Sequence, residues 1–424
     1  MTPEIKQRIE QICRGEVPEG YKKGKLGIVP EEWNETSFST LFTSTSDYTD
    51  DLDTYPLYSL TIEDGITPKT ERYERSHLVK KEDSYKIVRP NDYAYNPMNL
   101  RFGAVARHKG DMPVAVSGYY DIFTTVHESD LPFMDSFLTC GPMITYYNRV
   151  STGSLVEKQR VHFSQFLEFM LPLPSINERT KIATILTTQD KVIELKEKRL
   201  AEKQRQKKYL MQQLLTGKKR LPGFSEEWKI KPLKKLTEKQ KKKNHGFQYR
   251  LVLSNSAQHG IVSQDQEFDK EIANEERIDG YYVVIPGAFV YNPRISVTAP
   301  CGPINVNETG ETGIMSPLYT VFTISSPQIS QDFLKYYFQS SCWYKYVKGV
   351  ANYGARHDRI SISDGDFFDM PIPLPTKEEQ NYIAKVLSAA DREIELLQQD
   401  IEQEKQKKKA LMQLLLTGIV RVKS

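Results

Sequence analysis

The strongest constraint on this chain is that it writes one long stretch twice. LPLPSINERTKIATILTTQDKVIELKEKRLAEKQRQKKYLMQQLLTG, from Leu171 to Gly217, returns as IPLPTKEEQNYIAKVLSAADREIELLQQDIEQEKQKKKALMQLLLTG, from Ile372 to Gly418. The offset is 201 throughout, without a gap, and 20 of the 47 pairs are identical. A match of that length is an internal repeat, and the fold has to accommodate it twice.

Each copy carries its own helix signals. The PLP tripeptides at Pro172–Pro174 and Pro373–Pro375 hold the chain extended, because proline lacks an N–H and restrains the residue before it. Ser175 with Glu178, and Thr376 with Glu379, then fit the S/T-x-x-E capping box. Neither proline nor glycine interrupts the run until Gly217 and Gly418, where a left-handed C′ residue is wanted. About 40 residues at 1.5 Å each predict two rods of roughly 60 Å.

The apolar spacing assigns the rods a partner. Leu186, Ile193, Leu200 and Leu214 recur at multiples of seven in the first copy. Leu387, Ile394, Ile401 and Leu415 do so in the second, with Leu397 and Leu411 on the adjoining line. So narrow a stripe is a coiled-coil seam, and Lys196, Lys203 and Lys207 thin it in the first rod. Each rod is therefore expected to pack against the other.

The segments between the rods repeat more faintly. DSYKIVRPNDYAYNP (Asp83–Pro97) aligns with DGYYVVIPGAFVYNP (Asp279–Pro293), and SGYYDIF (Ser117–Phe123) with SPLYTVF (Ser316–Phe322). Both segments are rich in tyrosine and phenylalanine in short β-like runs. GIVPEEW (Gly27–Trp33) and GFSEEW (Gly223–Trp228) lead into them, each ending on an anchoring tryptophan. Gln331–Tyr346 reads as one helix whose stripe of Phe333, Tyr337 and Tyr344 belongs to the core. Thr2-Pro3-Glu4 opens a short helix with Ile5, Ile9 and Ile12 on one face, and IEQICRG matches the register of a rod end. The expected fold class is α+β: two pseudo-repeated mixed α/β domains separated by two long helices. The boundaries are 1–21 for the N-terminal helix and lead-in, 22–171 and 219–372 for the domains, and 172–218 and 373–424 for the rods.

Bulk charge excludes little, since 58 basic residues meet 55 acidic ones; its distribution says more. Eight lysines and one acid fall between Lys229 and Lys243, as on a solvated face or a phosphate-binding one. Cys13, Cys140, Cys301 and Cys342 are scattered, which argues against zinc and disulfides and suits a reducing cytosol. No apolar run approaches a membrane span, and no signal peptide is expected. A cytoplasmic protein without a membrane partner follows.

A search for catalytic constellations finds none. The seven histidines show no ligand spacing, and no nucleotide-type glycine loop or G-x-S-x-G elbow occurs. The two YNP tripeptides lack the second proline and following aromatic of the N-P-P-Y motif of adenine methyltransferases, and read as strand-ending turns. Binding is better supported. Candidate DNA contacts are Lys80, Lys81, Arg101, Arg107, His108 and Lys109 in the first domain, and Lys241, Lys242, Lys243, Arg250, Arg294, Arg356 and Arg359 in the second. On the residues alone an enzyme with an unfamiliar site and a protein-binding coiled-coil adaptor also stay open.

The helices ending in LMQQLLTG and LMQLLLTG, the TG-x-x-R-x-P-G-F-x-E-E-W junction at Thr216–Trp228 and the aligned YNP regions resemble the specificity subunit of Type I restriction–modification enzymes, in its form with two target-recognition domains. The resemblance covers essentially the whole chain. It implies a non-catalytic subunit whose rods pair antiparallel, with each domain reading one half of a bipartite, asymmetric double-stranded DNA target. It further implies two methyltransferase subunits as partners and, through them, restriction–translocation subunits. S-adenosylmethionine, ATP and magnesium would sit on those partners, leaving no cofactor in this chain. A methylation-only system would use the same subunit.

Overall fold

The computed structural model describes residues 2–45, 47–69, 85–155, 159–264, 275–352 and 358–422. Lys80, Lys81 and Arg356 lie outside them. The chain divides into two compact units, one made of Met1–Glu197 and Asp400–Ser424, the other of Lys198–Gln399. Among the described residues no helix is long and apolar enough to cross a membrane.

The two repeated stretches are helices Ile176–Leu214 and Lys377–Leu416. Gly217 (φ 69°) and Gly418 (φ 72°) follow them in the left-handed conformation that only glycine adopts cheaply. The prolines ahead of each helix do more than block it. Met170–Leu173 and Pro371–Leu374 are strands, paired antiparallel with Asn34–Ser37 and Lys229–Pro232. These short ladders tie each helix start to the entry of its domain.

In the first unit a four-stranded antiparallel sheet runs Val105–Arg107, Tyr93–Tyr95, Asp121–Thr125 and Phe42–Thr45. The second unit builds the same sheet from Ile304–Val306, Phe289–Tyr291, Thr320–Ile324 and Thr237–Lys239. Its central aromatic pair is also duplicated. Tyr93 stacks on Phe123 at 5.2 Å between ring centroids, and Phe289 on Phe322 at 5.3 Å. These are neighbours across adjacent strands, where aromatic pairs add to stability beyond their buried area. A hairpin, Tyr58–Thr61 with Gly65–Pro68 in one unit and Leu253–Ser256 with Gly260–Ser263 in the other, completes the common framework.

Each core takes one end of each rod. In the first unit Leu186 joins Leu415 and Leu416 among the aromatics around Phe42 and Phe166. In the second, Leu214 and Leu387 join those around Phe322 and Trp343. Four of the ten expected seam residues, Leu186, Leu214, Leu387 and Leu415, are thus domain-core residues. Leu411 packs beside the first core. Ile193 and Ile401 are buried, and Leu200, Ile394 and Leu397 are half-buried. The physical reason is that a rod end must cover a domain, and only the middle is left for its neighbour.

Ion pairs fill the thin middle. Lys196 reaches Asp400 (2.8 Å) and Glu404 (2.9 Å), and Lys405 reaches Glu197 (2.7 Å). In the second unit Lys203 meets Glu393 at 2.8 Å, and Lys207 meets Asp391. Residue numbers rise on one helix as they fall on the other, so the segments run antiparallel within each unit. Solvent-screened pairs of this kind add little to stability, and their main effect is to fix register. Hydrogen bonds from Lys196 and Gln189 hold the Glu404 carboxyl down at about 2. A carboxylate depressed in the folded state stabilises it above its unfolded value of 4.5, and that contribution is lost as pH falls toward 2. Glu404→Gln is therefore expected to flatten the loss of stability between those pH values. Urea midpoints at several pH values check it; parallel acid limbs would refute it.

One expectation needs correction. Gln331–Tyr346 is not one helix: Gln331–Gln339 ends where Ser340 turns extended (φ −86°, ψ 173°), and Tyr344–Val350 follows separately. Phe333 and Tyr337 are core, while Tyr344 is half-buried and packs against it. The N-terminal helix spans Pro3–Cys13, with Thr2 Oγ1 capping the Ile5 N–H. Its apolar residues Ile5, Ile9 and Ile12 are half-buried, and the helix is tied to a rod end through Arg8. Arg8 donates to the Ile419 carbonyl at 2.9 Å and lies over the Tyr21 ring, while no residue of this helix is buried.

Candidate nucleic-acid interface

The junctions that hold the domains to the rods come first, because they position everything else. Ser175 and Thr376 accept from the N–H of Glu178 and Glu379 at 3.3 Å, which is half a capping box. The other half is redirected. The Glu178 carboxylate accepts from Trp33 Nε1 (3.3 Å) and from Arg421 Nε (2.7 Å). The Glu379 carboxylate accepts from Trp228 Nε1 (2.9 Å) and takes a two-pronged grip from Arg220, both arms at 2.7 Å. The glutamates are only 6% and 1% exposed, and planar guanidinium pairing is what such buried carboxylates require. LTGKKR (Leu215–Arg220) and LTGIVR (Leu416–Arg421) thus deliver the same arginine to two equivalent clamps. That recurrence was the available signal.

Several first-domain candidates have duties inside the protein. Arg107 donates to both carboxylate oxygens of Asp135, at 2.9 and 2.8 Å, and its third nitrogen donates to Asn91 at 2.6 Å. Burial pushes the Asp135 carboxyl up, but the Arg107 hydrogen bonds and nearby Lys109 more than offset this, holding it below the usual range. Arg107 thus commits three of its five N–H donors inside the protein. His108 is 3% exposed, with Nε2 at 2.7 Å from the Met112 carbonyl, and it too is structural. Lys109 is exposed and rests 3.2 Å from Asp135. Arg101 lies 4.5 Å over the ring of Phe102 and donates to Gln159 at 3.0 Å, while its buried Nε has no partner.

The second domain leaves more positive charge uncommitted. Among the described residues Lys241, Lys242, Lys243, Arg250 and Arg294 are exposed and form no ion pair. Arg294 and Arg359 are joined by a backbone bridge and line one cavity of about 410 Å³ with Asn255, Asn292 and Tyr281. The Arg359 Nε lies 3.5 Å from Asp358 but makes no hydrogen bond, a rare state for a buried donor. The lysine run adjoins this cavity, since the Tyr281 carbonyl accepts from the Asn244 N–H at 2.9 Å. Lysines set beside arginines and amides combine phosphate contact with base-edge readout.

Two copies of one framework, each clamped to a rod end and each carrying different basic residues, define a duplicated recognition scaffold. Comparison with known proteins names the class. Residues 225–406 match the type I restriction modification DNA specificity domain. The provisionally named type I restriction enzyme MjaX specificity subunit of Methanocaldococcus jannaschii is 24% identical over 449 residues, covering 96% of this chain and 98% of the relative. The MjaVIII specificity subunit of the same organism is 26% identical over 279 residues, 61% of this chain and 64% of that one. A solved chain, from work on complex assembly and conformational transition of the type I R-M system, superposes with a TM-score of 0.55 at 14% identity. It spans 92% of this chain and 99% of its own, which extends the likeness of fold over both domains. Residues 225–406 thus carry a match to the DNA specificity domain of type I restriction–modification systems, and the likeness to a specificity subunit runs over nearly the whole chain.

Proposed function

We propose that the domains at 22–171 and 219–372 each read one half of a bipartite, asymmetric DNA target, and that the rods set the unread gap between the halves. The observation that carries this reading is the duplication. One sheet framework occurs twice with the same aromatic pair and the same clamp, but with different side chains at the surface. Two weak readers joined by a spacer gain affinity through effective concentration when the spacing lets both engage.

The rods also serve as the dock for two adenine methyltransferase subunits, which recruit restriction–translocation subunits. Leu195 and Leu396, equivalent under the repeat and both exposed, lie away from the seam and supply the apolar part of that dock. S-adenosylmethionine, ATP and magnesium belong on those partners. No cluster of His, Cys, Asp or Glu that could hold a metal occurs among the described residues.

The test is to assemble the chain with a methyltransferase partner and map the methylated adenines by single-molecule sequencing. A two-part motif is expected, and exchanging 22–171 for another subunit's domain should change one half only. Change in both halves would overturn independent reading. Replacing Lys241, Lys242 and Lys243 by glutamine is expected to lower the slope of log affinity against log salt by about 2.7, if each meets one phosphate. An unchanged slope removes the lysine run from the interface. A complex that methylates without any nuclease partner would place the chain in a methylation-only system.

A further inference from the structure

The loops that follow the two YNP turns share one frame and differ at the tip. Asn96 Oδ1 accepts from the Met98 N–H, and Asn292 Oδ1 from the Arg294 N–H, both at 3.0 Å, so each loop opens on the same asparagine turn. Each then returns to the sheet at one place. The Asn96 N–H donates to the Ala104 carbonyl (3.1 Å), and the Asn292 N–H to that of Pro303 (3.0 Å). Val161 and Ile360 pin the Pro97 and Pro293 carbonyls from the far side, at 3.1 and 3.0 Å. Left-handed glycines close both loops, Gly103 at φ 95° and Gly302 at φ 78°. A Cβ on Gly302 would sit 2.1 Å from the Asn292 carbonyl oxygen, so this turn tolerates nothing larger.

Between these fixed points the copies part company. Pro97–Gly103 has seven residues and Pro293–Gly302 has ten. The short loop exposes half of Phe102, with the Arg101 guanidinium against its ring. The long loop leaves Val297 fully exposed and Ile295 partly so, with Arg294 open to solvent. An apolar residue on a rigid loop gains nothing from the folded chain alone. Beside an arginine it matches base edges, where apolar side chains meet the thymine methyl or wedge at a base step and arginine reads guanine.

We propose that Pro97–Gly103 and Pro293–Gly302 are the specificity-determining loops of their domains, each presenting an apolar tip, Phe102 or Val297, and an arginine, Arg101 or Arg294, to duplex DNA. A constant frame with a variable tip is how two copies of one fold come to read different sequences. The assignment rests on the DNA-reading function proposed above.

The test uses the full chain assembled with its methyltransferase partner. Phe102→Ala and Arg101→Gln are expected to weaken cognate binding roughly 10-fold each and relax base preference at one or two positions of one half-site. Val297→Ser and Arg294→Gln should act in the same way on the other half. Met112→Ala, 67% exposed but outside both loops, should change neither. Unaltered circular-dichroism melting of these surface variants separates lost contacts from lost structure. If the parent complex shows sequence preference and the loop variants keep it unchanged, this assignment falls alone. If the parent complex shows no sequence preference, the underlying function falls with it.

Discussion

Replacing Glu379 by alanine is expected to destabilise the second unit by about 3 kcal/mol and leave the first nearly unaffected, and Glu178→Ala should do the converse. Each glutamate is a buried carboxylate whose removal strands a tryptophan N–H, leaves Arg220 without its carboxylate and leaves Arg421 only the exposed Glu32. The cost comes from the orphaned guanidinium more than from the lost attraction, so shortening both partners together should cost less. Glu379→Leu combined with Arg220→Met is expected to recover part of the loss. Hydrogen exchange resolved along the chain, with urea unfolding of the same variants, measures both magnitude and place. A loss spread evenly over both units, or one below about 1 kcal/mol, would show that the clamp contributes little.

The second large effect concerns length. Inserting one heptad into Leu195–Gln206 together with one into Leu396–Lys407 should widen the gap between half-sites by about 10 Å, near three base pairs. The double insertion keeps each seam residue in phase, whereas a single insertion would break the register held by Lys196 with Glu404 and Lys203 with Glu393. Methylation mapping of the lengthened subunit reads the result directly. Unchanged spacing would mean that the rods do not act as the ruler.

Legibility in the sequence followed the range of the interaction. The rods could be read because their period, cap and glycine stop are local. The glutamate of the S/T-x-x-E motif could not be read fully, since Arg421 lies 243 residues beyond Glu178. Arg107 looked like a phosphate contact because its run of basic residues holds no acid, but Asp135 arrives from 28 residues further on. His108 shared that basic run, but it is buried and its ring meets the Met112 carbonyl. Nothing in the sequence singled out Phe102 and Val297, since an apolar residue in a β-rich segment stands out only once its exposure is seen. The YNP turns were correctly read as strand ends, yet what they hold in place depends on loop geometry.

The discontinuity of the first unit bears on the order of synthesis. Lys198–Gln399 is one uninterrupted piece, but the first unit is split, and the whole of that piece must be made before Asp400 appears. At 5–20 residues per second the delay is roughly 10–40 s. During it the apolar positions Ile182 and Leu186 wait for Leu415 and Leu416, and Glu178 waits for Arg421. The part of the chain translated first is therefore the last to close, and the second unit is already complete when it does.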